Sequence, residues 1–396
     1  MKNYTELKPS VLALVLLVSF GSISAVLFTP ALPLIAQQLG LSQSTAQLTI
    51  TLYLVGYSFG FLPYGPLSER FGRKPATYLG VSVAILGCLL VLLVEKFPFF
   101  SLFLVGRLLN ALGTSVGVKI AFTMVGDSYK DEKATKVISY LMLSFAIAPS
   151  LAIGLGGALT NHFGWMSCFY FQTAYSLFIL VLCYFLPETQ AKRDRHALNL
   201  SSIVAGFRQK ITNAKLILCS LLMGGGASII YLFAAEAPFI GIEQIGLSPQ
   251  HYGLLNFIPA SGLVIGSFLV NALKRNPPLA SIRLGTFTAA TFTALMLLLF
   301  LLGVVNPWTL FLPMALIYIG ESLVYANASS LVMSHAQNKS YASATMGFLT
   351  MGSCIVILSI NEWLASHHAF VMPLIFMGIV LFMFLLLQML KKKSVA

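Results

Sequence analysis

The ten residues Gly65-Pro66-Leu67-Ser68-Glu69-Arg70-Phe71-Gly72-Arg73-Lys74 lie between two long apolar runs, in a chain of 396 residues of which only 9% are charged. Arg70, Arg73 and Lys74 cannot sit in hydrocarbon, so this stretch must lie in water between two buried segments, on the side where basic loops collect. Gly65 and Gly72 let the chain leave one helix and enter the next. Apolar residues make up 58% of the chain, and mean hydropathy is +0.87. A soluble domain carries roughly 45–50% apolar and about 25% charged residues. The chain therefore reads as a multi-pass membrane protein.

Outward from this loop, the sequence divides into apolar runs of about 20 residues, the length needed to cross a bilayer core of about 30 Å. Twelve such runs lie near 11–36, 45–66, 75–95, 98–124, 137–160, 165–187, 214–238, 251–272, 280–304, 308–332, 342–364 and 368–390. Backbone cannot be left unpaired in lipid, and the short alternating segments of a barrel are absent, so each run is predicted to be a helix. Residues 1–36 resemble a signal peptide in their two leading lysines. The run is too long for one, however, and Pro30 and Pro33 close it without a small-residue cleavage site, so it is read as the first span.

Charge sets the orientation. With a cytoplasmic N-terminus, every one of the 24 basic residues except Lys96, Arg107 and Lys119 falls on the inner side, from Lys2 and Lys8 to Lys391, Lys392 and Lys393. The opposite orientation puts nearly all of them outside. The net charge of +12 is thus a topology signal, and no nucleic-acid partner is implied. The Lys391-Lys392-Lys393 tail reads either as a solvated helix end or as a contact for anionic membrane lipid. Five cysteines, Cys88, Cys168, Cys183, Cys219 and Cys354, all fall inside apolar runs at irregular spacing, which implies neither a disulfide framework nor a metal site.

Residues 188–213 form the one long polar stretch and split the spans six and six. Gly56 and Gly60 precede Arg70 at nearly the distance by which Gly262 and Gly266 precede Arg275, a faint internal repeat. The expected organisation is a six-helix bundle over 1–187, a cytoplasmic linker over 188–213 and a second six-helix bundle over 214–396.

The 65–74 stretch closely resembles the loop between the second and third helices of the major facilitator superfamily of secondary transporters. Arg107 followed by Asn110, Ala111 and Gly113 is similar to that superfamily's Arg-x-x-Gln-Gly element, with Asn for Gln and Ala for Gly. Pro149 followed by Gly154, Gly156 and Gly157 resembles the glycine- and proline-rich antiporter motif of its drug:proton branch, with Ala148 where a glycine is usual. Leu186-Pro187-Glu188-Thr189 is another common ending in that branch. Pro30-Ala31-Leu32-Pro33, and Ala237-Pro238-Phe239 through Gly246-Leu247-Ser248-Pro249, resemble the Bcr/CflA efflux subfamily. That subfamily commonly carries an aspartate four residues before Pro-Ala-Leu-Pro; here the position is Val26, and the first span has no acid.

The resemblance implies an all-α major facilitator fold, twelve transmembrane helices in two six-helix bundles, in the bacterial inner membrane. It implies proton-coupled efflux of a small organic molecule or drug by alternating access. It also implies no cofactor beyond the proton gradient, a monomer, and a latch in which Asp127 pairs with Arg70 or Arg73 of the loop to hold the outward-open state. No phosphate loop or hydrolase, zinc or kinase signature is present, so the chain reads as neither an ATP-driven pump nor an enzyme. The other reading is a transporter of an anionic metabolite or siderophore, in either direction. Arg107 and Lys119 would make the cavity positive, while the first span lacks its acid.

Charged groups inside a bundle cost at least about 2.5–3.5 kcal/mol each on insertion scales, which makes the buried ones the candidate site. Glu321 lies about thirteen residues into the tenth span, near the midplane. Glu236 lies near the outer end of the seventh, two residues before Pro238, where a bend is expected. These two glutamates are expected to carry the proton, with Arg107 tuning them, or else to pair structurally between helices. Arg107 is read either as a cavity charge or as a ligand of backbone carbonyls. On a straight helix Lys119 lies about 120° around from Arg107, able to flank one cavity or simply to snorkel. Tyr53 and Tyr57, four residues apart on one helix face, and Asn110, Gln172, Tyr231 and Asn256 are polar cavity candidates. Glu95, Lys96 and Glu362 are expected to be solvated helix ends.

Overall fold

The computed structural model describes residues 8–190, 193–194, 197–199, 213–333, 339–364 and 368–395. Eleven helices among them are long and apolar enough to cross a bilayer: α1 (Val11–Leu39), α3 (Arg73–Glu95), α4 (Phe100–Ser128), α5 (Lys136–Phe163), α6 (Met166–Phe185), α7 (Ala214–Gln244), α8 (Pro249–Ala272), α9 (Pro278–Leu301), α10 (Pro307–Met333), α11 (Ala342–Leu364) and α12 (Val371–Lys392). Between the first two lies α2 (Gln43–Gly60), helical like its neighbours but studded with Gln, Ser and Thr. These helices occupy the twelve expected places. Of the expected linker, 191–192, 195–196 and 200–212 lie outside the described residues, as do the basic residues Lys2, Lys192, Arg195, Arg208 and Lys210.

Local chemistry explains where helices start and break. The Ser42 hydroxyl accepts the Thr45 N–H at 3.2 Å, Asn213 Oδ1 accepts Leu216 N–H at 3.1 Å, and Ser248 accepts His251 N–H at 3.2 Å with Pro249 at the first turn. In α1 the α-helix stops at Val26, passes through the 3-10 turn Thr29–Ala31 and resumes over Leu32–Leu39. Pro30 cannot donate back to Val26, whose carbonyl takes the Thr29 hydroxyl instead at 2.9 Å.

Four expectations need correction. The second span does not run to 66: Pro63 has no N–H for the Phe59 carbonyl, and α2 ends at Gly60 in a short turn. The 65–74 stretch is not an open loop, since Tyr64–Phe71 is a short helix with Gly65 inside it, broken from α3 only at Gly72, where φ is +114°. Span four is not straight either. It breaks at Ser115, where Ser115 and Thr114 hydroxyls bond back to the Leu112 and Ala111 carbonyls at 2.8 and 3.3 Å. Lastly, α7 does not merely bend at Pro238; it passes into a π-helical stretch, Phe239–Gln244.

The glycine echo has a common packing role. Gly56 and Gly60 bring α2 onto Leu108, Leu112 and Ser115 of α4, and Gly262 and Gly266 bring α8 onto Ala315, Ile319 and Ser322 of α10. Helices preceding the linker meet those following it chiefly where α2 runs along α11 and where α5 crosses α8. The α5–α8 crossing is close because Gly154 and Gly253 face each other; a Cβ on Gly253 would stand 3.2 Å from the Gly154 Cα.

Candidate functional site

The break in α1 builds the first part of the site. Interrupting the helix frees the carbonyls of Ser24 and Ala25, and buried carbonyls need donors. Arg107 supplies them: its guanidinium donates to Ser24 O at 2.8 Å, Ala25 O at 3.2 Å and Thr49 O at 3.3 Å, and Gln172 adds a bond to Ser24 O at 2.8 Å. The guanidinium lies between the rings of Phe28 and Tyr53, 4.2 and 4.4 Å from their centroids. Arg107 is fully enclosed. Of the two readings open from sequence, the geometry is that of the carbonyl ligand, and every bond of its guanidinium goes to α1 or α2. Asn110 likewise turns to α3, donating to Ala84 O at 3.2 Å. Asn256 stays on its own helix, near Tyr252.

The middle of the molecule is aromatic. Tyr53 and Tyr57 share a face as expected, their rings stacked at 5.9 Å, and Phe61 meets Tyr57 edge-on at 5.0 Å. The Tyr53 hydroxyl is held by Gly21 O and Thr114 at 2.8 Å each. The Tyr57 hydroxyl is buried without a partner among the described residues. Tyr231 of α7 and Tyr325 of α10 stand within electrostatic reach of it. Tyr325 is 41% exposed although helices surround it. A ring left uncovered deep in a bundle lines an internal space, and Tyr325 was not legible as a cavity residue from sequence.

The two buried glutamates differ sharply. Glu321 of α10 is 3% exposed, and neither carboxylate oxygen has a hydrogen-bond partner among the described residues. It lies against Gly226 of α7, where any Cβ would collide with Oε2. Glu236 of α7, by contrast, is wrapped in amides. Gln43 Nε2 donates to Oε2 at 2.7 Å, and Gln47 Nε2 and Asn361 Nδ2 donate to Oε1 at 2.8 and 2.5 Å. Asn361 also donates to Gln47 Oε1 at 3.2 Å. Beside this cluster the Thr51 hydroxyl donates to Glu362 at 2.5 Å, so Glu362 is not a plain solvated helix end. These bonds join α2 to α7 and α11 at the end of the molecule opposite the 65–74 stretch. Sequence reading missed Gln43, Gln47, Thr51 and Asn361. The signal was present: Gln43, Gln47, Thr51 and Ser58 recur on one face of α2.

Arg107 was expected to tune both glutamates. The structure gives it carbonyls instead, so that expectation is not met. Lys119, past the break in α4, lies against Gly65 and within reach of Glu69 and Arg73. It belongs with the loop and not with Arg107.

At the loop, Arg73 Nε pairs with Asp127 Oδ2 at 3.0 Å and Arg73 Nη1 donates to Ser68 at 3.2 Å. The Arg70 guanidinium lies over its neighbour Phe71. Thr189 also donates to Asp127, at 2.9 Å. Glu188 caps α3, accepting the Arg73 and Lys74 N–H groups at 2.9 and 3.1 Å. Lys74 Nζ donates to Tyr184 O at 2.6 Å, and Gln190 to Glu69 O at 2.6 Å. Gly72 is required twice over, by its positive φ and because a Cβ there would strike the Glu188 carboxylate. Sequence reading assigned Glu188 no role. On α5, Pro149 lies within a continuous helix, Gly154 and Gly157 face α8, and Gly156 packs on the Leu27 carbonyl beside the α1 break.

A bundle of apolar helices, a capped basic turn and buried carboxylates at helix contacts are the makings of a membrane transporter. The sequence profile of the Major Facilitator Superfamily matches residues 12–361, and the chain belongs to that family, whose members are transporters rather than enzymes. It is 27% identical over 331 residues to a protein named multidrug resistance protein D of Escherichia coli (strain K12), covering 81% of this chain and 80% of that one. To an uncharacterized transporter of Rickettsia felis it is 30% identical over 245 residues, 61% of this chain and 59% of the relative. This match thus spans under two thirds of the relative's length. Among solved structures, a D-xylose-proton symporter superposes with a TM-score of 0.75 over 94% of this chain and 96% of the other, at 14% identity, a likeness of fold.

Proposed function

We propose that the chain is a proton-coupled exporter of a small organic molecule or drug, working by alternating access. The observation that carries this reading is Glu321, a buried carboxylate with no donor and no cation on either oxygen among the described residues. An ionised carboxylate left so would cost several kcal/mol. The group therefore holds a proton in this arrangement, and opening the space around it to water releases that proton. Glu236 sits in the contact between α2 and α7, where a change of access must break or remake its bonds. The tyrosines Tyr57, Tyr231 and Tyr325 offer rings to an aromatic or lipophilic substrate, and multidrug resistance protein D among the relatives agrees with such a cargo.

In this reading the halves are 1–187 and 214–396, joined by the linker 188–213. Pro149, Gly154, Gly156 and Gly157 let α5 move against α8. The protein is, in the same reading, a monomer in a bacterial inner membrane; the distribution of basic residues favours both termini and the 65–74 stretch on the cytoplasmic side. Gly65, Glu69, Arg70, Gly72, Arg73 and Lys74, with Asp127, bias the equilibrium between its conformations. Transport of an anionic metabolite or siderophore, in either direction, is less favoured, because of the two cations that suggested it Arg107 is taken up by carbonyls and Lys119 lies against Gly65 beside Glu69 and Arg73.

The test is transport in proteoliposomes with an imposed pH gradient as sole energy source, for wild type, Glu321→Gln, Glu236→Gln and the double variant. Uphill movement of a lipophilic cation such as ethidium by wild type, lost in Glu321→Gln, supports the proposal. A double variant that still pumps sinks the coupling role, and wild-type flux of polycarboxylates alone sinks the cargo.

A further inference from the structure

At the end of the molecule that carries the 65–74 stretch, α9 and α12 part to leave a cleft of about 910 Å³ on the outer surface. Leu279, Leu284, Phe287, Phe384 and Leu387 form its walls. The rings of Phe287 and Phe384 meet edge-on at 5.1 Å, where α9 and α12 face each other within the cleft. Its polar lining is Arg283 from α9 with Gln388 and Lys391 from α12. The Arg283 guanidinium lies over the Phe287 ring at 5.8 Å, which keeps that cation at the apolar wall.

An apolar trough on the bilayer-facing surface of a membrane protein fills with acyl chain. What distinguishes this one is that two cations and an amide, and no acid among the described residues, line it. That is the chemistry of a phosphodiester: Arg offers a planar fork to phosphate oxygens, Lys a point charge, and Gln a neutral donor. A lipophilic cation would be repelled. We propose that this cleft binds one anionic phospholipid, its acyl chain along Leu284 and Phe287 and its phosphate between Arg283 and Lys391. Basic pockets between membrane helices commonly hold such headgroups. The site is separate from Glu321 and the central tyrosines and does not depend on the cargo.

The experiment is native mass spectrometry of the full chain, titrated with phosphatidylglycerol or phosphatidylcholine. Wild type should retain phosphatidylglycerol in preference. Arg283→Gln and Lys391→Gln should each lower that preference about fivefold, the effect of about 1 kcal/mol per cation. Ala280 also lines the cleft, and Ala280→Trp, which puts bulk into it, should lower binding of both lipids. Lys274→Gln with Arg275→Gln, cations at the same end but outside the cleft lining, should leave the preference unchanged. Equal retention of the two lipids overturns the proposal. So does an equal loss in the Lys274/Arg275 variant, which would mean general surface attraction. Displacement by soluble glycerol 3-phosphate would make it a site for free phosphate esters and also overturns it.

Discussion

Glu236 and Glu321 are the same residue type, both buried, both at contacts of α7, yet their surroundings are opposite. Glu236 receives three amide hydrogens from two other helices. Glu321 receives none from the described residues and faces a glycine. Burial alone therefore does not say what an intramembrane carboxylate does; the supply of donors does. A carboxylate saturated by amides from α2 and α11 ties those helices to α7, and under the proposed alternating access it is a fastener that has to open. One without donors among the described residues is, on the proposed reading, the group that takes up and releases the proton.

The largest effect should come from striking the side without donors. Glu321→Gln should reduce proton-driven uphill transport at least about a hundredfold, the scale on which positioned proton-transfer groups act, while substrate binding measured by tryptophan or dye fluorescence stays within about threefold. The same variant should melt no earlier than wild type, because the amide removes an unpaired acid. A large fall in melting temperature would mean that Glu321 has a structural partner and would dissolve the contrast.

Arg107 extends the comparison to a cation. Its donors serve two carbonyls freed by the α1 break and the Thr49 carbonyl of α2, so Arg107→Ala should cost about 3 kcal/mol or more in stability. Arg107→Lys should recover only part, since an ammonium cannot span all three. Thermal unfolding in detergent reads both. If Arg107→Ala folds as stably as wild type but transports nothing, the residue acts on substrate and the carbonyl role is secondary.

Striking the fastener should cost less. Glu236→Ala leaves the Gln43, Gln47 and Asn361 amides seeking partners and should weaken the α2–α7–α11 contact by about 1–3 kcal/mol. A shift of about 1.4 kcal/mol changes a two-state population tenfold. Labelling of a cysteine introduced at Tyr231 or Tyr325 should accordingly become at least several times faster from the end of the molecule opposite the loop. Unchanged labelling would show that the cluster does not set the conformational balance.

The smallest effect belongs to the loop. The Arg73–Asp127 side chains are 10% and 25% exposed, so the pair is partly solvated. Asp127→Asn should cost about 1 kcal/mol or less in stability, with a two- to fivefold change in the same labelling rates. Glu188→Gln, which weakens the cap on α3, should act in the same direction. If Asp127→Asn exceeds Glu236→Ala, the loop and not the amide cluster is the main fastener.

Much of this was legible in the residues. Hydrocarbon demands runs of about 20 apolar residues, so the spans could be read off, although the break at Pro30 inside the first was not. The basic turn placed one end of the bundle. Glu321 stood out because an acid in such a run is expensive. Gln43, Gln47 and Thr51 were equally visible as one face of α2, but a polar stripe at a helix start is also what a solvated end looks like.

What the chain could not say by itself was which polar groups meet. Backbone bonds in a helix are local, each N–H reaching four residues back, so where a helix begins, breaks and ends is written in neighbouring residues. The partner of a side chain depends on how one helix is rotated against another. Glu236 finds donors at positions 43, 47 and 361, and Arg107 finds acceptors at 24, 25 and 49. Sequence alone determined the spans and the presence of charges within them, Arg107, Glu236 and Glu321 among these. Only the tertiary packing decided that Arg107 is tied to carbonyls, Glu236 is saturated by amides and Glu321 has no partner among the described residues, because that choice is made by groups far apart in the chain, 58 to 193 residues in these bonds.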